Sequence, residues 1–415
     1  MRLLCLSNGH GEDIISLRIL QALQRQAPAL ELSVLPIVGE GHVFSKAGIP
    51  LIGTVKTLPS GGFIYMDGRQ LARDLRGGLV QLTLTQLKAV RRWATQPGAG
   101  ILAVGDIVPL AFAWWSRVPY AFVGTAKSEY YLRDESGWLP RQSWFDDRLE
   151  RWTGCIYHPW ERWLMSQPQC RAVFPRDTIT AQNLRQLGLP AIDLGNPMMD
   201  GLEWQADFPT FPTAPSQDDS HPLTIALIPG SRPPEAYANW ETILLAVNGI
   251  IAQMKRPLTF LATIAPGLDL DILHQTLLNF RWQLSAENTY SVGLGQQKAT
   301  LELGQSRFAE YIHRADLAIA MAGTATEQFV GMGKPVLSIP GRGPQFTPRF
   351  AEAQTRLLGC SVTLVEKPEL VSAAISRLLQ NPDRLQLIAE NGQRRMGQAG
   401  AADRIASHLL ERLKA

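Results

Sequence analysis

Cysteine and histidine are both scarce in this chain of 415 residues, which contains four of the first and seven of the second. The cysteines stand far apart, with no Cys-x-x-Cys pair, and the histidines show no paired spacing. Zinc sites and disulfide-stapled secreted domains both need such patterns, so the usual sequence signatures of these two classes are excluded. We expect buried thiols in a reducing compartment, no catalytic metal and no bound cofactor.

Long apolar runs are absent as well. No stretch approaches the ~20 consecutive apolar residues that a membrane-spanning helix requires. The first apolar run, Leu3–Leu6, is also shorter than the apolar segment of a signal peptide. These features predict a cytoplasmic protein, with any membrane contact being peripheral and on the inner face.

Neither sign of charge is in large excess, because 40 basic residues stand against 37 acidic ones. Residues 1–200 carry 21 basic and 17 acidic side chains, and the remainder carries 19 and 20. This balance excludes the basic footprint of a nucleic-acid-binding protein. The apolar content of 45% is that of a globular protein, and the length predicts two domains of about 200 residues each.

A proline-rich stretch over residues 203–222 divides the chain and is predicted to be an exposed linker. Strands and helices alternate on both sides of it, with strands predicted at Arg2–Leu6, Leu32–Leu35, Gly100–Val104, Tyr120–Val123, Leu223–Ile228 and Leu258–Ile264. The alternation predicts an α/β protein with two Rossmann-like parallel-sheet domains, 1–202 and 223–395, facing a central cleft. A final helix within 396–415 is expected to pack back toward the first domain.

The most informative segment is ADLAIAMAGTATEQFVGMGKPVLSIP, residues 315–340. It predicts a buried strand at Leu317–Ala320, a helix that starts after the break at Gly323 and Thr324, and a second strand at Val336–Ile339. A strand that meets a helix in this way leaves unpaired amides in front of the positive helix end. That arrangement suits a phosphate group.

Thr326 and Glu327 follow in the first turn of this predicted helix. A carboxylate at Glu327 can accept hydrogen bonds from two sugar hydroxyls, and diphosphate beside ribose is the shape of a nucleotide sugar. Thr324-x-x-Glu327 is equally a capping box, in which the two side chains satisfy the first amides of the helix. The segment alone leaves both interpretations open.

A second loop, Pro229 to Arg232, follows the predicted strand at 223–228, where ligands bind in such folds. Gly230 lets the backbone approach a ligand, Ser231 offers a hydroxyl, and Arg232 offers a fork of donors that matches phosphate oxygens. The alternative is a plain turn with a solvated arginine. A third loop, after Pro340, carries Arg342 and Gln345 where they can reach the sugar of a donor.

Several of these motifs carry a family resemblance. Pro229–Arg232, Gly323–Glu327 and Lys334-Pro335 resemble the donor half of lipid-A-disaccharide synthase, a GT-B glycosyltransferase. The loop and helix from Gln345 to Gly359 are similar to those of the murein glycosyltransferase that makes lipid II and of related galactolipid synthases.

The first half of the chain matches the same family less closely. Gly195–Asp200 resembles the Gly-His-Pro segment of the synthase, with Asn196 in place of the histidine. Ser7–Asp13 stands where the family has a Gly-Glu-x-Ser-Gly-Asp loop. These differences indicate a divergent branch of the family.

The resemblance implies an inverting, metal-independent transfer of a sugar from a UDP-sugar to an amphiphilic acceptor in the membrane. It also implies that Arg232 contacts the diphosphate and Glu327 the uridine ribose. A nucleotide-sugar 2-epimerase and a non-catalytic nucleotide-sugar-binding protein are the alternatives. The sugar, the acceptor, the linkage and the oligomeric state are left open by the sequence.

A glycine-containing loop also follows the first strand. Asn8, Gly9, Gly11 and Glu12 surround the start of the first helix and predict an acceptor or phosphate loop. A dinucleotide site would need an acidic residue at the end of the second strand, and none precedes Glu40.

Inverting sugar transfer needs a base that takes the proton of the acceptor hydroxyl. His10 qualifies because imidazole titrates near ~6.5. Asp106 follows an apolar strand and resembles the aspartate at the equivalent place in the synthase. We predict Asp106 as the base and His10 as an orienting group, while a helix-start residue and an N-cap are the respective alternatives.

Two segments are candidates for lipid contact. One runs from Phe63–Met66 into a stretch rich in leucine and arginine that ends at Trp93, and the other, 114–163, holds seven of the eleven tryptophans. Apolar residues edged by arginine and aromatics are typical of an interfacial helix. Core packing is the alternative for both segments.

Overall fold

The computed structural model of the chain describes residues 1–55, 79–140, 151, 153–204, 222–294, 297–343 and 346–413. The chain folds as two compact units, of which the first comprises Met1–Gly201 with Gln398–Ala415 and the second comprises Leu202–Gly397. The end of the chain therefore belongs to the first unit. Most of the predicted linker lies outside the described residues.

The first unit contains a parallel sheet. Its strands are β1 (Arg2–Ser7), β2 (Glu31–Pro36), β3 (Ala99–Gly105) and β4 (Tyr120–Gly124), followed by the short ribbon β5 (Arg133–Asp134) and β6 (Gly137–Trp138), and by β7 (Cys170–Phe174). The sheet has the order β2-β1-β3-β4-β7 and every pairing in it is parallel. The central strands are continuous apolar runs because helices cover both faces of such a sheet.

The helices of this part of the chain alternate with the strands. They are α1 (His10–Gln26), α2 (His42–Lys46), α3 (Leu79–Ala94), α4 (Ile107–Ser116), α5 (Pro159–Met165) and α6 (Thr178–Gln186).

The second unit contains an eight-stranded sheet. Its strands are β8 (Leu223–Ile228), β9 (Leu258–Ile264), β10 (Gln283–Ala286), β11 (Thr289–Leu294), β12 (Gln297–Gln305), β13 (Leu317–Ala320), β14 (Val336–Ser338) and β15 (Val362–Leu364). Their order is β10-β11-β12-β9-β8-β13-β14-β15. The six strands β12-β9-β8-β13-β14-β15 pair in parallel with their neighbours. Strands β10 and β11 add an antiparallel edge next to β12, which the sequence analysis does not anticipate.

The helices of the second unit are α7 (Glu235–Gln253), α8 (Leu270–Asn279), α9 (Phe308–Arg314), α10 (Thr324–Gly331), α11 (Pro348–Leu358), α12 (Val371–Leu379) and α13 (Pro382–Met396). Trp240, Ile243 and Val247 of α7 are fully buried in the core. Full burial of such side chains stabilises the fold by about 1.5–3 kcal/mol each. The last helix, α14 (Ala401–Arg412), packs on α1 in the first unit.

Each sheet has one point where the strand order reverses. In the first sheet the chain adds β2 on one side of β1 and β3 on the other, and in the second sheet β9 and β13 flank β8 in the same way. Ligands bind beyond the carboxyl ends of the strands at such points. The fold therefore predicts two ligand sites, one at the loops after β1 and β3 and the other at the loops after β8 and β13. Within the described ranges, no helix has both the length and the apolar character needed to cross a bilayer.

Candidate functional site

The loops after β8 and β13 lie side by side. The backbone amide of Met321 donates to the carbonyl oxygen of Ile228 at 2.8 Å, which continues the pairing of the two strands into the loops. Gly230 has a φ of 99°, and a Cβ there would lie 3.2 Å from the carbonyl oxygen of Met321. A side chain at this position would meet both backbone strain and a close neighbour, so glycine lets the loops approach each other.

A buried asparagine ties these two loops together. The amide nitrogen of Asn239, on α7, lies 3.0 Å from the carbonyl oxygen of Pro229 and 3.4 Å from that of Met321. Buried carbonyl groups need such partners, and a residue from a third element supplies them here. The loop that carries Ser231 and Arg232 is thereby fixed against the start of α10.

The start of α10 differs from a capping box. Gly323 is the N-cap, and it has no side chain with which to cap the helix. Thr324 is exposed in the first turn, while Glu327 is 8% exposed. The structural alternative for Thr324-x-x-Glu327 is therefore absent, and the amide groups at the N-terminus of α10 receive no cap from the N-cap residue.

Thr326 lies differently from the other predicted donor-binding residues. Its side chain is fully buried, and its hydroxyl donates to the carbonyl oxygen of Ala322 at 2.7 Å. The hydroxyl of Thr326 therefore serves the helix itself and does not face a ligand. We correct its predicted role to a structural one.

A glutamine from a distant part of the chain also supports this helix start, and the sequence analysis missed it. The amide nitrogen of Gln354, on α11, lies 3.0 Å from the carbonyl oxygen of Ala322 and 3.4 Å from that of Gly323. Gln354 is 2% exposed. Its role depends on a contact between α11 and α10, which no local pattern could reveal.

The third predicted loop reaches the same place through Glu235. This buried carboxylate accepts a hydrogen bond from the backbone amide of Phe346 at 2.7 Å. A Cβ on Gly343 would collide with the same carboxyl group, so a larger residue there would displace the Glu235 side chain from its bond to Phe346. Arg342 is exposed in this loop, and the predicted contact at Gln345 lies outside the described residues.

Lys334 has a structural partner. Its Nζ donates to three carbonyl oxygens at the end of α9, those of Ile312, His313 and Ala315, at 2.8, 2.7 and 2.6 Å. A cation there satisfies carbonyl groups that the helix leaves unpaired. The Lys334-Pro335 motif therefore stabilises the unit and contributes no side chain to the ligand loops.

In the first unit, Asp106 follows β3 and is the N-cap of α4. Its carboxylate accepts from the backbone amide of Val108 at 2.8 Å, so the structural alternative for this residue is present. The side chain of Asn8 also hydrogen-bonds to it. Burial, reinforced by the negative charge of Glu161, raises the pKa of Asp106 despite opposing effects of these bonds and of Lys127. A carboxylate of raised pKa is a stronger base, so the capping role leaves the catalytic prediction open.

Glu12 lies beside Asp106 at the start of α1. The hydroxyl of Thr125, just after β4, donates to its Oε1 at 3.2 Å. Burial raises the pKa of Glu12 to about 7, and the charges of Asp106 and Asp13 add to the shift against the hydrogen bonds it accepts. The helix begins at His10 with Gly9 as N-cap, and Gly11 is exposed. The side chain of His10 lies outside the described part of the chain.

A buried ion pair completes this polar region. Lys127 Nζ contacts Glu161, whose carboxylate also accepts from the backbone amide of His158 at 2.8 Å. Glu161 is 2% exposed, and the ammonium group lies 5.6 Å from the centre of the Tyr157 ring. The sequence analysis missed this pair, because the two residues are 34 positions apart and belong to no motif.

The segment that resembles Gly-His-Pro has a structural function. Asn196 accepts from the backbone amide of Met198 at 3.0 Å and starts a short 3-10 turn. The carboxylate of Asp200 then accepts from three successive amides at the start of α14: Gly400, Ala401 and Ala402. The segment thus holds the last helix within the first unit.

The described tryptophans of the second candidate lipid segment are half-buried or exposed. Trp115, Trp160 and Trp163 are 49%, 57% and 52% exposed. Trp114 packs edge-on against Trp163 with ring centres 5.2 Å apart, which joins α4 to α5. The other candidate lies outside the described residues up to position 78. Its remainder forms α3, where Leu82, Val90 and Trp93 are buried in the core, as the alternative of core packing requires.

Comparison with known proteins defines the fold. No protein-family model and no curated protein matches the chain. Among solved structures, MurG from Acinetobacter baumannii is 16% identical with a TM-score of 0.59, over 99% of each chain. CalG4, the calicheamicin glycosyltransferase, is 14% identical with a TM-score of 0.59, over 100% of this chain and 98% of that one.

A third solved structure is an epimerase. The UDP-GlcNAc 2-epimerase from Neisseria meningitidis, bound to UDP-GlcNAc, is 16% identical with a TM-score of 0.54, over 99% of this chain and 100% of that one. The chain has the GT-B fold, and the predicted fold class is confirmed. The specific likeness to lipid-A-disaccharide synthase stays a prediction.

Proposed function

We propose that the chain is an inverting glycosyltransferase that moves a sugar from a UDP-sugar to a lipid or lipid-linked acceptor. The observation that carries this proposal is the adjacency of the Pro229–Arg232 loop and the start of α10 at the reversal point of the second sheet. The fold is shared with MurG and CalG4, and the motifs resemble those of lipid-A-disaccharide synthase. Together these features favour a donor site that binds an anionic leaving group.

The proposed donor contacts follow from the chemistry of the two loops. The amides at the start of α10 and the guanidinium of Arg232 bind the diphosphate, because both favour negative charge. The carboxylate of Glu327 accepts hydrogen bonds from the ribose hydroxyls. Ser231 and Thr324 are exposed at these two loops, and Arg342 is exposed on the third loop. The three side chains complete the proposed site.

Donor binding can be tested by thermal denaturation with a panel of nucleotide sugars. A bound sugar nucleotide at a hundredfold excess over its dissociation constant adds about 2.7 kcal/mol of stability. Arg232→Ala should weaken binding by about ten- to a hundredfold, since a hydrogen bond to a charged group contributes about 1.5–3 kcal/mol. Arg377→Ala, on α12, is the matched control and should bind as the wild type does. If Arg232→Ala kept the full donor-induced stabilisation, as Arg377→Ala should, the proposed site would be contradicted.

The proposed reaction uses Asp106 as the base. The acceptor hydroxyl attacks C1 of the donor sugar, the bond from C1 to the diphosphate oxygen breaks, and UDP leaves with the electron pair. The proton of the hydroxyl passes to the Asp106 carboxylate. Asp106→Asn should lower turnover by at least a hundredfold while the donor-induced thermal shift persists. Undiminished turnover in this variant would remove Asp106 from the reaction.

A nucleotide-sugar 2-epimerase is the second candidate, because an enzyme of that name shares the fold. The two functions differ in their need for an acceptor. Incubation with UDP-GlcNAc alone, followed by chromatography of the sugars, distinguishes them. Release of UDP and free sugar without acceptor would favour the epimerase, whereas UDP release that depends on added lipid favours the transferase.

The membrane contact of the acceptor side is part of the same proposal. Trp115 and Trp163 are exposed and both contact Trp114, and the exposed Arg117 lies two residues after Trp115. Such aromatic and basic side chains bind lipid interfaces. A variant with both tryptophans changed to serine should lose co-sedimentation with anionic vesicles. Leu245→Ser, which changes an exposed leucine of the second unit, is the control and should leave it unchanged. Full co-sedimentation of the tryptophan variant would exclude this surface as the membrane contact.

A further inference from the structure

The start of α1 is the place where the acceptor loop was predicted, and its electrostatics are unusual for a phosphate site. A helix N-terminus ordinarily favours an anion. Here the first turn already contains Glu12 and Asp13, and Asp106 follows the neighbouring strand. The helix end is therefore occupied by the protein's own carboxyl groups.

Few cations offset these carboxyl groups within the described residues. Lys127 is paired with Glu161. Arg176 donates to the carbonyl oxygen of Thr125 at 3.1 Å and interacts with the charge of the buried Asp177. Each cation thus interacts with a carboxylate outside the cluster, although the charge of Lys127 also acts on Asp106 and opposes the rise of its pKa.

The remaining carboxyl groups are Glu12, Asp13 and Asp106. The hydroxyl of Ser7 satisfies Asp13. Glu12 and Asp106 lie beside the loop after β1 and form no ion pair with Lys127 or Arg176, so the charge of Lys127 offsets them only in part. A phosphate close to them would meet like charge, which opposes its binding.

Asn8 provides an independent observation. Its side chain is 8% exposed and hydrogen-bonds to Asp106, so its amide group lies within the cluster. In the described part of the chain its Oδ1 has no hydrogen-bond partner. A buried carbonyl oxygen without a donor is costly, and a ligand hydroxyl that donates to it would remove the cost.

Gly105 explains how these groups come so close together. It has a φ of 130°, and a Cβ there would lie 3.3 Å from both the Cβ of Asn8 and the Cγ of Glu12. The strand end therefore leaves room for both side chains beside Asp106. The cluster presents hydrogen-bond acceptors from Asn8, Glu12 and Asp106 at one point.

From this arrangement we infer that the acceptor presents its reactive hydroxyl on an uncharged polyol head, a sugar or glycerol group, with no phosphate next to that hydroxyl. Asn8 and Glu12 are positioning residues that accept hydrogen bonds from hydroxyls of the head, and Asp106 takes the proton of the attacking one. The inference rests on the proposed function and narrows its acceptor class. It also replaces the predicted phosphate role of this loop with hydroxyl binding.

Two matched pairs of acceptors test the inference. The first pair is diacylglycerol and phosphatidylglycerol in phosphatidylcholine vesicles, and the second is an alkyl glucoside and its 6-phosphate. UDP release is measured with the nucleotide sugar that gives the largest thermal shift. We expect kcat/KM to be at least tenfold higher for the uncharged member of each pair. Equal or preferred use of the phosphorylated members would overturn the inference.

Variants separate hydroxyl binding from a merely structural role. Glu12→Gln should narrow the preference between the two members of each pair by at least threefold, because it removes a charge and keeps the shape. Glu31→Gln changes an exposed carboxylate on β2 and should leave the preference unchanged. Asn8→Ala should raise KM for the uncharged acceptor and leave the donor-induced thermal shift intact. An unaltered preference in Glu12→Gln, or an unaltered KM in Asn8→Ala, would count against the inference.

The proposed function and this inference fail in different ways. A wild-type protein that shows no thermal shift with any nucleotide sugar would contradict the donor site. A protein that binds the donor and transfers to the phosphorylated acceptors contradicts only the inference about the acceptor.

Discussion

Glu12 illustrates how one buried side chain makes a measurable property depend on pH. Burial and the neighbouring charges of Asp106 and Asp13 raise its pKa from 4.5 to about 7. The folded protein therefore holds this proton to higher pH than the unfolded chain does. Its contribution to stability is fully present below about pH 4.5 and is lost as pH rises through about 7, by at most about 1.4 kcal/mol per pH unit.

Glu12→Gln should therefore gain stability relative to the wild type as pH rises. Thermal denaturation at several values between pH 5 and pH 8 checks this, with the difference in Tm between variant and wild type as the readout. Burial also raises the pKa of Asp13, to about 6. Asp13 is present in both proteins, so its effect on Tm cancels in the difference. Glu31→Gln should show a constant difference over the same range. A constant difference for Glu12→Gln would contradict the buried, charge-coupled position of this residue.

At the scale of residues, the sequence was most informative where chemistry and chain position coincide. Arg232, Glu327 and Asp106 were each predicted because they follow an apolar strand, and all three lie after strands that flank a reversal of strand order. Gln354 and Lys127 were missed because their partners are far away in the sequence. Thr326 was misjudged because a threonine in a first helical turn can bond to the helix as readily as to a ligand.

At the scale of elements, the loop that carries Arg342 depends on Gly343 for its position. Glu235, at the start of α7, accepts from the amide of Phe346, and a Cβ at position 343 would collide with that carboxyl group and push it away. Gly343→Ala should displace the loop and raise the KM for the donor by about tenfold. The loss in stability should stay below about 2 kcal/mol, as is usual for a change in a loop.

The matched control for this prediction is Gly267→Ala. Gly267 is exposed, and nothing lies within 4 Å of the place where its Cβ would be. Steady-state kinetics with varied donor, together with thermal denaturation, separate the two variants. An unchanged KM in Gly343→Ala would show that the loop does not reach the donor.

Helices and strands were predicted well where the apolar pattern is long and uninterrupted. The predicted strand at Leu223–Ile228 has the bounds of β8, and the predicted break at Gly323 is the N-cap of α10. Of the two interpretations of Thr324-x-x-Glu327, the capping box is absent, because Gly323, held by Gln354 from α11, takes the cap position. The antiparallel edge β10-β11 was not predicted. The exposed strand β10 lacks apolar alternation, whereas the alternation of Tyr290 and Val292 in β11 was overlooked.

At the scale of the whole molecule, Asp200 holds the end of the chain in the first unit. Its carboxylate accepts three amide hydrogen bonds at the start of α14. Asp200→Ala should destabilise the first unit by about 2 kcal/mol, the upper part of the range for loss of an N-cap. Urea denaturation, with tryptophan fluorescence as the probe, measures the change.

Asp403→Ala is the control for the whole-molecule prediction. Asp403 lies in the first turn of the same helix, but it is exposed and pairs with Arg25 on the surface. Exposed ion pairs contribute only about 0–1 kcal/mol, so this variant should be nearly as stable as the wild type. Equal losses in the two variants would contradict the special role of Asp200. The donor-induced thermal shift should survive in both, because the donor loops belong to the second unit.

The return of α14 to the first unit has a consequence for biosynthesis. A ribosome completes Met1–Gly201 long before it reaches residue 398, and it makes the whole second unit in the interval. Until α14 has been synthesised, the side of α1 that packs against it stays uncovered, and the apolar side chains of α14 such as Ile405 and Leu409 are not yet there to be buried. The nascent chain therefore exposes an apolar surface for tens of seconds at ordinary elongation rates. We expect a chaperone to bind this exposed side of α1.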